Sequence, residues 1–200
     1  MNSYRAALIS GVLVTAVSGT GFAADYRFDA GHTEVRFAWN HAGISNQTAE
    51  FTTVDGTVFF DPDNIAEAKV DVSIDPNSVW TGLELFDGHM KGEQFFNTAN
   101  HPTITFVSTA VRQTGASSAQ VDGDLTIKGI TKPVTLDVEL TFQGEHPLGA
   151  FSDAYKGAQY AAFSASTQVL RSDFDLGAYA PLTSDAVDIM ISTELRQEGT

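Results

Sequence analysis

Cysteine is absent from the 200 residues of this sequence, and basic residues are few. Without cysteine, disulfide bonds, zinc–thiolate sites, iron–sulfur clusters and thiol catalysis are excluded. Eleven lysines and arginines stand against 25 aspartates and glutamates, which gives a formal net charge of −14. A surface of that charge repels polyanions, so we expect no nucleic-acid partner. The 42% of hydrophobic residues nevertheless suffices for the core of one domain.

A hydrophobic run long enough to span a membrane is missing as well. The apolar stretch at 6–20 contains glycine, serine and threonine and falls short of the roughly 20 residues that a spanning helix needs. One arginine precedes it, and Gly21 and Ala23 place small residues at positions −3 and −1 of a cleavage site. This pattern predicts a secretory signal peptide over residues 1–23, cleaved after Ala23. The mature chain, residues 24–200, is then expected in the periplasm without stable membrane insertion.

From residue 24 onward, apolar and polar residues alternate with a period of two. The run from Val134 to Phe142, for example, has an apolar residue at every second position. This period is typical of antiparallel strands with one apolar and one solvent-facing side. Turn signals separate the alternating stretches. They predict eight strands, roughly at 26–40, 47–60, 66–75, 103–114, 118–128, 132–144, 159–171 and 184–197.

Eight strands with one apolar side each must bury those sides against one another, and closure of the sheet also removes its edges. We therefore predict an all-β domain, an eight-stranded antiparallel barrel. One segment departs from the pattern, because Leu83, Phe86 and Met90 lie at helical spacing. We predict that residues 83–96 form a short, irregular helical segment that caps one end of the barrel and gates its interior.

Aromatic residues are the main candidates for a binding site. Many lie on the apolar sides of predicted strands or on the capping segment. They form an ordinary core if they fill the barrel and a binding site if they line a cavity, and an eight-stranded barrel has the size for either. The small residues at 161–166 would leave volume open, but the pattern alone does not decide between cavity and core. The candidate lining residues are Phe37, Trp39, Phe51, Phe60, Trp80, Phe86, Phe95, Phe96, Phe106, Phe163 and Phe174.

Motifs for catalysis and metal binding are scarce. The five histidines lack the spacing of a zinc-binding helix, and there is no Gly-x-Ser-x-Gly elbow or glycine-rich phosphate loop. We therefore expect no catalytic residue, metal ion or required cofactor, although a histidine–carboxylate site assembled by the fold is left open. The sequence is also compatible with an enzyme that acts on a small apolar substrate near His89 and with a filled-barrel structural or stress protein.

Several short motifs occur in order along the chain. They are Phe28-Asp29-Ala30-Gly31-His32-Thr33, His41-Ala42-Gly43-Ile44-Ser45, Gly56-Thr57-Val58-Phe59-Phe60-Asp61-Pro62, Asp87-Gly88-His89-Met90-Lys91, His101-Pro102-Thr103-Ile104, Gly123-Asp124-Leu125-Thr126-Ile127-Lys128-Gly129-Ile130-Thr131-Lys132-Pro133 and Arg171-Ser172-Asp173-Phe174. With these motifs, the sequence resembles the YceI-like family of exported bacterial proteins over essentially the whole mature chain.

This resemblance implies a lipocalin-like barrel that holds an isoprenoid-tailed lipid, either quinone-like or polyprenyl, for carriage, storage or protection. It also implies transient contact with quinone or cytochrome components of the inner membrane, and it leaves a homodimer open. The headgroup candidates are Asp87, His89 and Lys91. Because Phe86 stands where the family often has an arginine, a donor suited to phosphate is missing, and we expect a neutral headgroup such as a quinone.

Overall fold

The computed structural model describes residues 23–200, so residues 1–22 of the expected signal peptide lie outside the described part of the chain. Ten strands and one α-helix form most of the described part. They are β1 (Ala24–His41), β2 (Ser45–Phe51), β3 (Val54–Phe60), β4 (Lys69–Ile74), β5 (Val79–Trp80), α1 (Glu84–Lys91), β6 (Ile104–Gln113), β7 (Ser118–Ile127), β8 (Ile130–Glu145), β9 (Gln159–Leu170) and β10 (Ala186–Gln197).

Eight of the strands close into an antiparallel barrel, which confirms the predicted fold class. Their order is β1-β3-β4-β6-β7-β8-β9-β10, and β10 pairs with β1. β2 pairs with the second half of β1, and β5 pairs with β2. Closure lets each strand bury its apolar side in a common interior while its polar side faces solvent.

The predicted strand at 47–60 consists of two strands, β2 and β3, which pair with the same edge of β1. At the break between them, the N–H of Thr52 donates to the carbonyl oxygen of Ser78 (3.3 Å). The N–H of Thr53 donates to Oγ of Ser78 (3.0 Å). The single-strand prediction was wrong here because these partners come from a turn 25 residues away, which local alternation cannot reveal.

A bulge interrupts the pairing of β1 with β10. Four residues of β1, 29–32, lie opposite the single residue Glu194 of β10. The Thr33 hydroxyl lies 2.9 Å from the carbonyl oxygen of Asp29 and 2.8 Å from the hydroxyl of Thr193. These bonds close the bulge, so its side chains project from the outer surface of the barrel at a fixed place.

The two ends of the barrel differ in their connections. At one end, which we call the mouth, the chain passes through 42–44, 81–103, 128–129 and 171–185. At the opposite end, which we call the base, it passes through 61–68, 114–117 and 146–158. The longest connections of the mouth therefore include α1 and the loop between β9 and β10.

Helix α1 lies inside the predicted capping segment 83–96 and confirms a short helix there. The carboxylate of Asp87 accepts hydrogen bonds from the N–H (2.7 Å) and the hydroxyl (2.6 Å) of Thr81, which ties the first turn to the preceding loop. Met90 is buried and Phe86 is half-buried, so the helix places its apolar side over the interior. Among residues 23–200, no helix is long and apolar enough to cross a membrane.

Candidate ligand-binding cavity

A cavity of about 830 Å³ occupies the interior of the barrel. Side chains from all eight barrel strands, from α1 and from the loop at 171–185 line it, and most of them are aliphatic or aromatic. Volumes of about 300–1,000 Å³ with a mostly apolar lining are typical of sites for small molecules and cofactors. The interior therefore has room for one apolar ligand.

Inward-facing aliphatic side chains show that the barrel is not filled. Val134, Leu136 and Val138 of β8 line the cavity, yet each is only half-buried. In a close-packed core, inward side chains of this kind would be fully covered by their neighbours. The remaining exposed surface of these side chains faces the cavity. The structure thus shows an open interior, where the sequence pattern was equally compatible with a filled core.

Ten of the eleven aromatic candidates line this cavity, and the list is Phe37, Trp39, Phe51, Phe60, Phe86, Phe95, Phe96, Phe106, Phe163 and Phe174. Trp80 does not line it and is 55% exposed. In β5 its neighbour Val79 is buried, so the alternation of the strand directs Trp80 outward. The placement of Trp80 inside the barrel was therefore wrong, because a two-residue strand has too short a pattern to assign its sides.

Five aromatic rings form one connected group near the mouth, those of Phe37, Trp39, Phe51, Phe86 and Phe96. Phe37 stacks on Phe51 with ring centroids 5.2 Å apart and on Trp39 at 5.8 Å. Phe96, from the segment after α1, packs edge-on against Phe51 at 5.3 Å. Phe86 of α1 contacts Trp39 at 6.0 Å. Each aromatic pair of this kind contributes about 0.5–1.5 kcal/mol to stability in addition to the hydrophobic contribution of its buried surface. The pairs made by Phe86 and Phe96 therefore hold the capping segment against β1 and β2.

The base of the barrel is closed by a second group of side chains. Phe60 packs edge-on against Phe163 at 5.4 Å and contacts Tyr26 at 6.3 Å. Leu195 and Ala161 are almost completely buried beside them. The deep end of the cavity is therefore apolar and closed to solvent.

The mouth is where the cavity reaches the surface. Its exposed lining residues all lie at this end: His41, Gly88, His89, Glu93, Gln94, Tyr179 and Leu182. Several large apolar side chains surround the opening without facing the interior. Ile44 is 82% exposed and Leu85 is 69% exposed. A ligand would therefore enter and leave past an apolar rim.

The three headgroup candidates occupy different environments. His89 lines the cavity at the mouth, whereas Asp87 and Lys91 do not line it. The hydrogen bonds from Thr81 hold the pKa of the Asp87 carboxyl below its usual range. Asp87 therefore stabilises the first turn of α1, and His89 alone among the three faces the place where a headgroup would lie.

Arg171 lines the cavity, although the sequence analysis named it only as part of a motif and not as a site residue. Its guanidinium donates to the carbonyl oxygens of Ser184 and Leu176 (both 2.8 Å), Thr183 (2.9 Å) and Ala178 (3.1 Å). Burial lowers the pKa of this guanidinium, although an arginine remains charged at neutral pH. Arg171 thus holds the loop between β9 and β10 in place beside the opening.

Most of the other lining residues are aliphatic. They include Val70, Val72 and Ile74 of β4, Val134, Leu136 and Val138 of β8, Ala165 and Val169 of β9, and Ile189 and Ile191 of β10. The signal that could have found them is the same alternation that predicted the strands. The sequence analysis selected the aromatic residues as candidates because of their size, whereas aliphatic residues form most of the cavity wall.

Comparison with known proteins gives consistent matches. A profile described as the YceI-like domain matches residues 26–195. Protein YceI of Escherichia coli is 37% identical over 179 residues, which cover 88% of this chain and 89% of the relative. The crystal structure of BcnA from Burkholderia cenocepacia matches with a TM-score of 0.73 at 23% identity, over 84% of this chain and 98% of BcnA.

A polyisoprenoid binding domain from Saccharophagus degradans, implicated in plant cell wall breakdown, has a similar fold. It matches with a TM-score of 0.65 at 14% identity and covers 88% of this chain and 99% of that domain. At these identities, both solved structures support the closed barrel as the common architecture.

Proposed function

Because the chain belongs to the YceI-like domain family, we propose that it is an exported protein that holds an isoprenoid-tailed lipid in its barrel cavity. The observation that carries this proposal is the apolar cavity, which is closed at the base and open at the mouth. A long, flexible apolar chain fits such a cavity better than a polar metabolite, because few polar groups along the interior could replace the hydrogen bonds of water.

The energetics favour a carrier that exchanges its ligand. Each buried methylene contributes about 0.8 kcal/mol relative to water, so a chain of several isoprene units would bind too tightly to be released into water. The lipid, however, starts in a membrane that is as apolar as the cavity. The hydrophobic contribution then largely cancels, and the fit of the chain and the contacts of the headgroup determine selectivity.

Catalysis has little support among the described residues. The titratable groups that line the cavity all lie near the mouth, and they are His41, His89, Glu93, Arg171 and Tyr179. Four N–H groups of Arg171 already donate to backbone carbonyls. The Tyr179 hydroxyl donates to Oε1 of Gln94 (2.9 Å), and within residues 23–200 no hydrogen bond joins two of these titratable side chains, so binding is the function that the geometry supports best.

Export to the periplasm rests on the signal-peptide pattern at 1–23. We expect protein purified from the periplasm to begin at Ala24, as N-terminal sequencing or intact mass would show. Recovery of the full-length chain in the cytoplasm alone would contradict export but leave the lipid-binding proposal unaffected, because the described lining residues lie between positions 28 and 195.

Two substitutions on β9 test whether the cavity holds the lipid. Ala165 lines the cavity, whereas the adjacent Ser166 is exposed on the outer side. Ala165→Phe adds a ring to the interior, and Ser166→Phe adds the same ring outside. We expect native mass spectrometry and lipid extraction to find an isoprenoid lipid on the parent protein and on Ser166→Phe.

The Ala165→Phe variant should bind the isoprenoid lipid about ten- to a hundredfold more weakly than the parent. This corresponds to a loss of about 1–3 kcal/mol in binding free energy, because the added ring occupies space that the lipid needs. The melting temperatures of Ala165→Phe and Ser166→Phe should both be measured, because a cooperative transition in each would show that the barrel is still folded. An absence of lipid from all three proteins, or equal loading of all three, would contradict the proposed function.

A further inference from the structure

A cluster of polar side chains lies on the outer surface near the base, away from the mouth. Nδ1 of His32 lies 3.2 Å from Oδ2 of Asp29 and 3.9 Å from Oε2 of Glu194. One ligand atom from each of the three residues lies within 4.8 Å of the other two. Asp29 and His32 are brought together by the bulge of β1, and Glu194 is the residue of β10 directly opposite that bulge.

The separations of these three atoms fit a single divalent metal ion. With metal–ligand bonds of about 2.0–2.2 Å, tetrahedral geometry places the ligand atoms roughly 3.4 Å apart. The observed 3.2 and 3.9 Å lie on either side of that value. The third separation, between the two carboxylates, is at most 4.8 Å, so the carboxylates would have to approach each other to surround an ion.

The neighbouring groups hold both carboxylates in place. The hydroxyl of Tyr160 donates to Oδ2 of Asp29 (3.3 Å), and the N–H of Gly31 donates to Oδ1 of the same carboxylate (2.9 Å). Glu194 contacts Nε2 of His146 at 3.4 Å through the oxygen that faces His32. Hydrogen bonds of this kind to ligating carboxylates orient them and are characteristic of metal sites in proteins.

His146 is an orienting group and not a ligand, for a reason of tautomer. Its Nδ1 accepts a hydrogen bond from the N–H of Leu148 (3.1 Å), so the proton of the neutral ring lies on Nε2. A protonated Nε2 has no lone pair for a metal ion, but it can donate to Glu194. The side chain of His146 is 10% exposed and stacks on Tyr155 with centroids 4.2 Å apart, which keeps the ring in this orientation.

We propose that Asp29, His32 and Glu194 form a binding site for one divalent transition-metal ion of the zinc type. One imidazole nitrogen and two carboxylate oxygens suit zinc, whereas calcium and magnesium prefer all-oxygen sites. The side chains of His32 and Glu194 are 45% and 37% exposed, so water can complete the coordination from the solvent side. The site lies outside the cavity, so it goes beyond the proposed lipid binding and stands independently of it.

Calorimetric titration of the purified protein with zinc alone tests the site. We expect one zinc ion per chain and a dissociation constant that rises at least about tenfold in His32→Ala and in Glu194→Gln. Because the acidic surface attracts cations in general, matched controls are needed. His101→Gln and Glu139→Gln remove a histidine and a carboxylate that lie outside the cluster, and they should bind zinc as the parent does. Calcium should show no binding that depends on His32.

Melting curves with and without zinc distinguish loss of the site from loss of the fold. Zinc should raise the melting temperature of the parent and of both controls, but not that of His32→Ala. Asp29→Asn provides a milder third variant, because the amide oxygen can still accept the hydrogen bond from Gly31. The proposal is overturned if the parent does not bind zinc, or if the control variants weaken binding as much as the cluster variants do.

Discussion

The ring of Phe106 lies directly against the backbone of Gly123 on the neighbouring strand. A Cβ atom added at Gly123 would overlap Cζ of Phe106 and would lie 2.7 Å from the carbonyl oxygen of Val107. Both approaches are closer than van der Waals contact allows, and the carbonyl belongs to the rigid barrel wall. Glycine at this position therefore makes room for the inward-facing ring of Phe106 against the backbone of β7.

Gly123→Ala should destabilise the barrel by about 1–3 kcal/mol, because the added methyl group displaces the ring of Phe106 or the strand backbone. Urea denaturation monitored by circular dichroism measures this change. Gly88→Ala in α1 is the matched control, since nothing lies within 4 Å of its added methyl group and alanine favours helix. Equal stability of Gly123→Ala and the parent would show that the ring of Phe106 lies elsewhere.

Arg171→Lys should loosen the loop at 171–185. A lysine ammonium cannot reach four carbonyl oxygens in the planar arrangement that the guanidinium satisfies, and each carbonyl left without a partner costs about 1–3 kcal/mol. We expect faster hydrogen exchange in this loop. Arg36→Lys is the control, because Arg36 pairs with Glu34 and Glu50 on the exposed surface, where such pairs contribute about 0–1 kcal/mol. Unchanged exchange in the Arg171 variant would mean that the loop is held by other contacts.

The first turn of α1 should weaken in acid. Hydrogen bonds from Thr81 lower the pKa of Asp87, so the folded carboxyl has a lower pKa than the unfolded one. Its contribution is fully present above the unfolded value of about 3.9 and is lost as the pH falls through the folded value. We expect protection factors at 81–91 to fall over that acidic range. The Asp87→Asn variant should lose this pH dependence, and the exposed Asp124→Asn should keep it. A parallel pH profile for Asp87→Asn and the parent would contradict the assignment.

The segment at 83–96 should exchange more slowly when lipid is bound. Phe86, Met90 and Phe96 line the cavity from this segment, so an occupied interior supplies packing partners that an empty one lacks. Hydrogen exchange of lipid-loaded and delipidated protein measures the difference, with residues 146–158 at the base, none of which lines the cavity, as an internal reference. Identical exchange of the segment in both states would show that it does not gate the cavity.

A neutral headgroup should be preferred to a pyrophosphate. Phe86 lines the mouth beside Trp39, and its apolar ring offers no hydrogen bond to a phosphate oxygen. The ring centroid of His89 lies 6.5 Å from that of Phe86. His89 is our candidate for donating a hydrogen bond to a quinone oxygen. Competition between a short-tailed quinone and a prenyl pyrophosphate of matched length, at low salt, tests this preference. We expect Phe86→Arg to shift it toward the pyrophosphate, and tighter binding of pyrophosphate by the parent would contradict it.

Much of the barrel is encoded locally. In β8, apolar residues at every second position from Val134 determine which side of the strand faces inward, and that alternation needs no knowledge of the neighbouring strands. The same holds for Phe106 in β6 and for the helical spacing of Phe86 and Met90 in α1. These elements could be predicted because side-chain direction follows from the backbone period alone.

Other features depend on residues that are distant in the sequence. Ser78 determines where β2 ends, and the pairing of β5 determines that Trp80 points outward. The bulge of β1 and the position of Glu194 on β10 bring the proposed metal ligands together across more than 160 residues. The cavity itself is also a property of the closed barrel. Whether eight apolar faces fill their common interior depends on the sum of their volumes and on the register of closure, and no single strand contains that information.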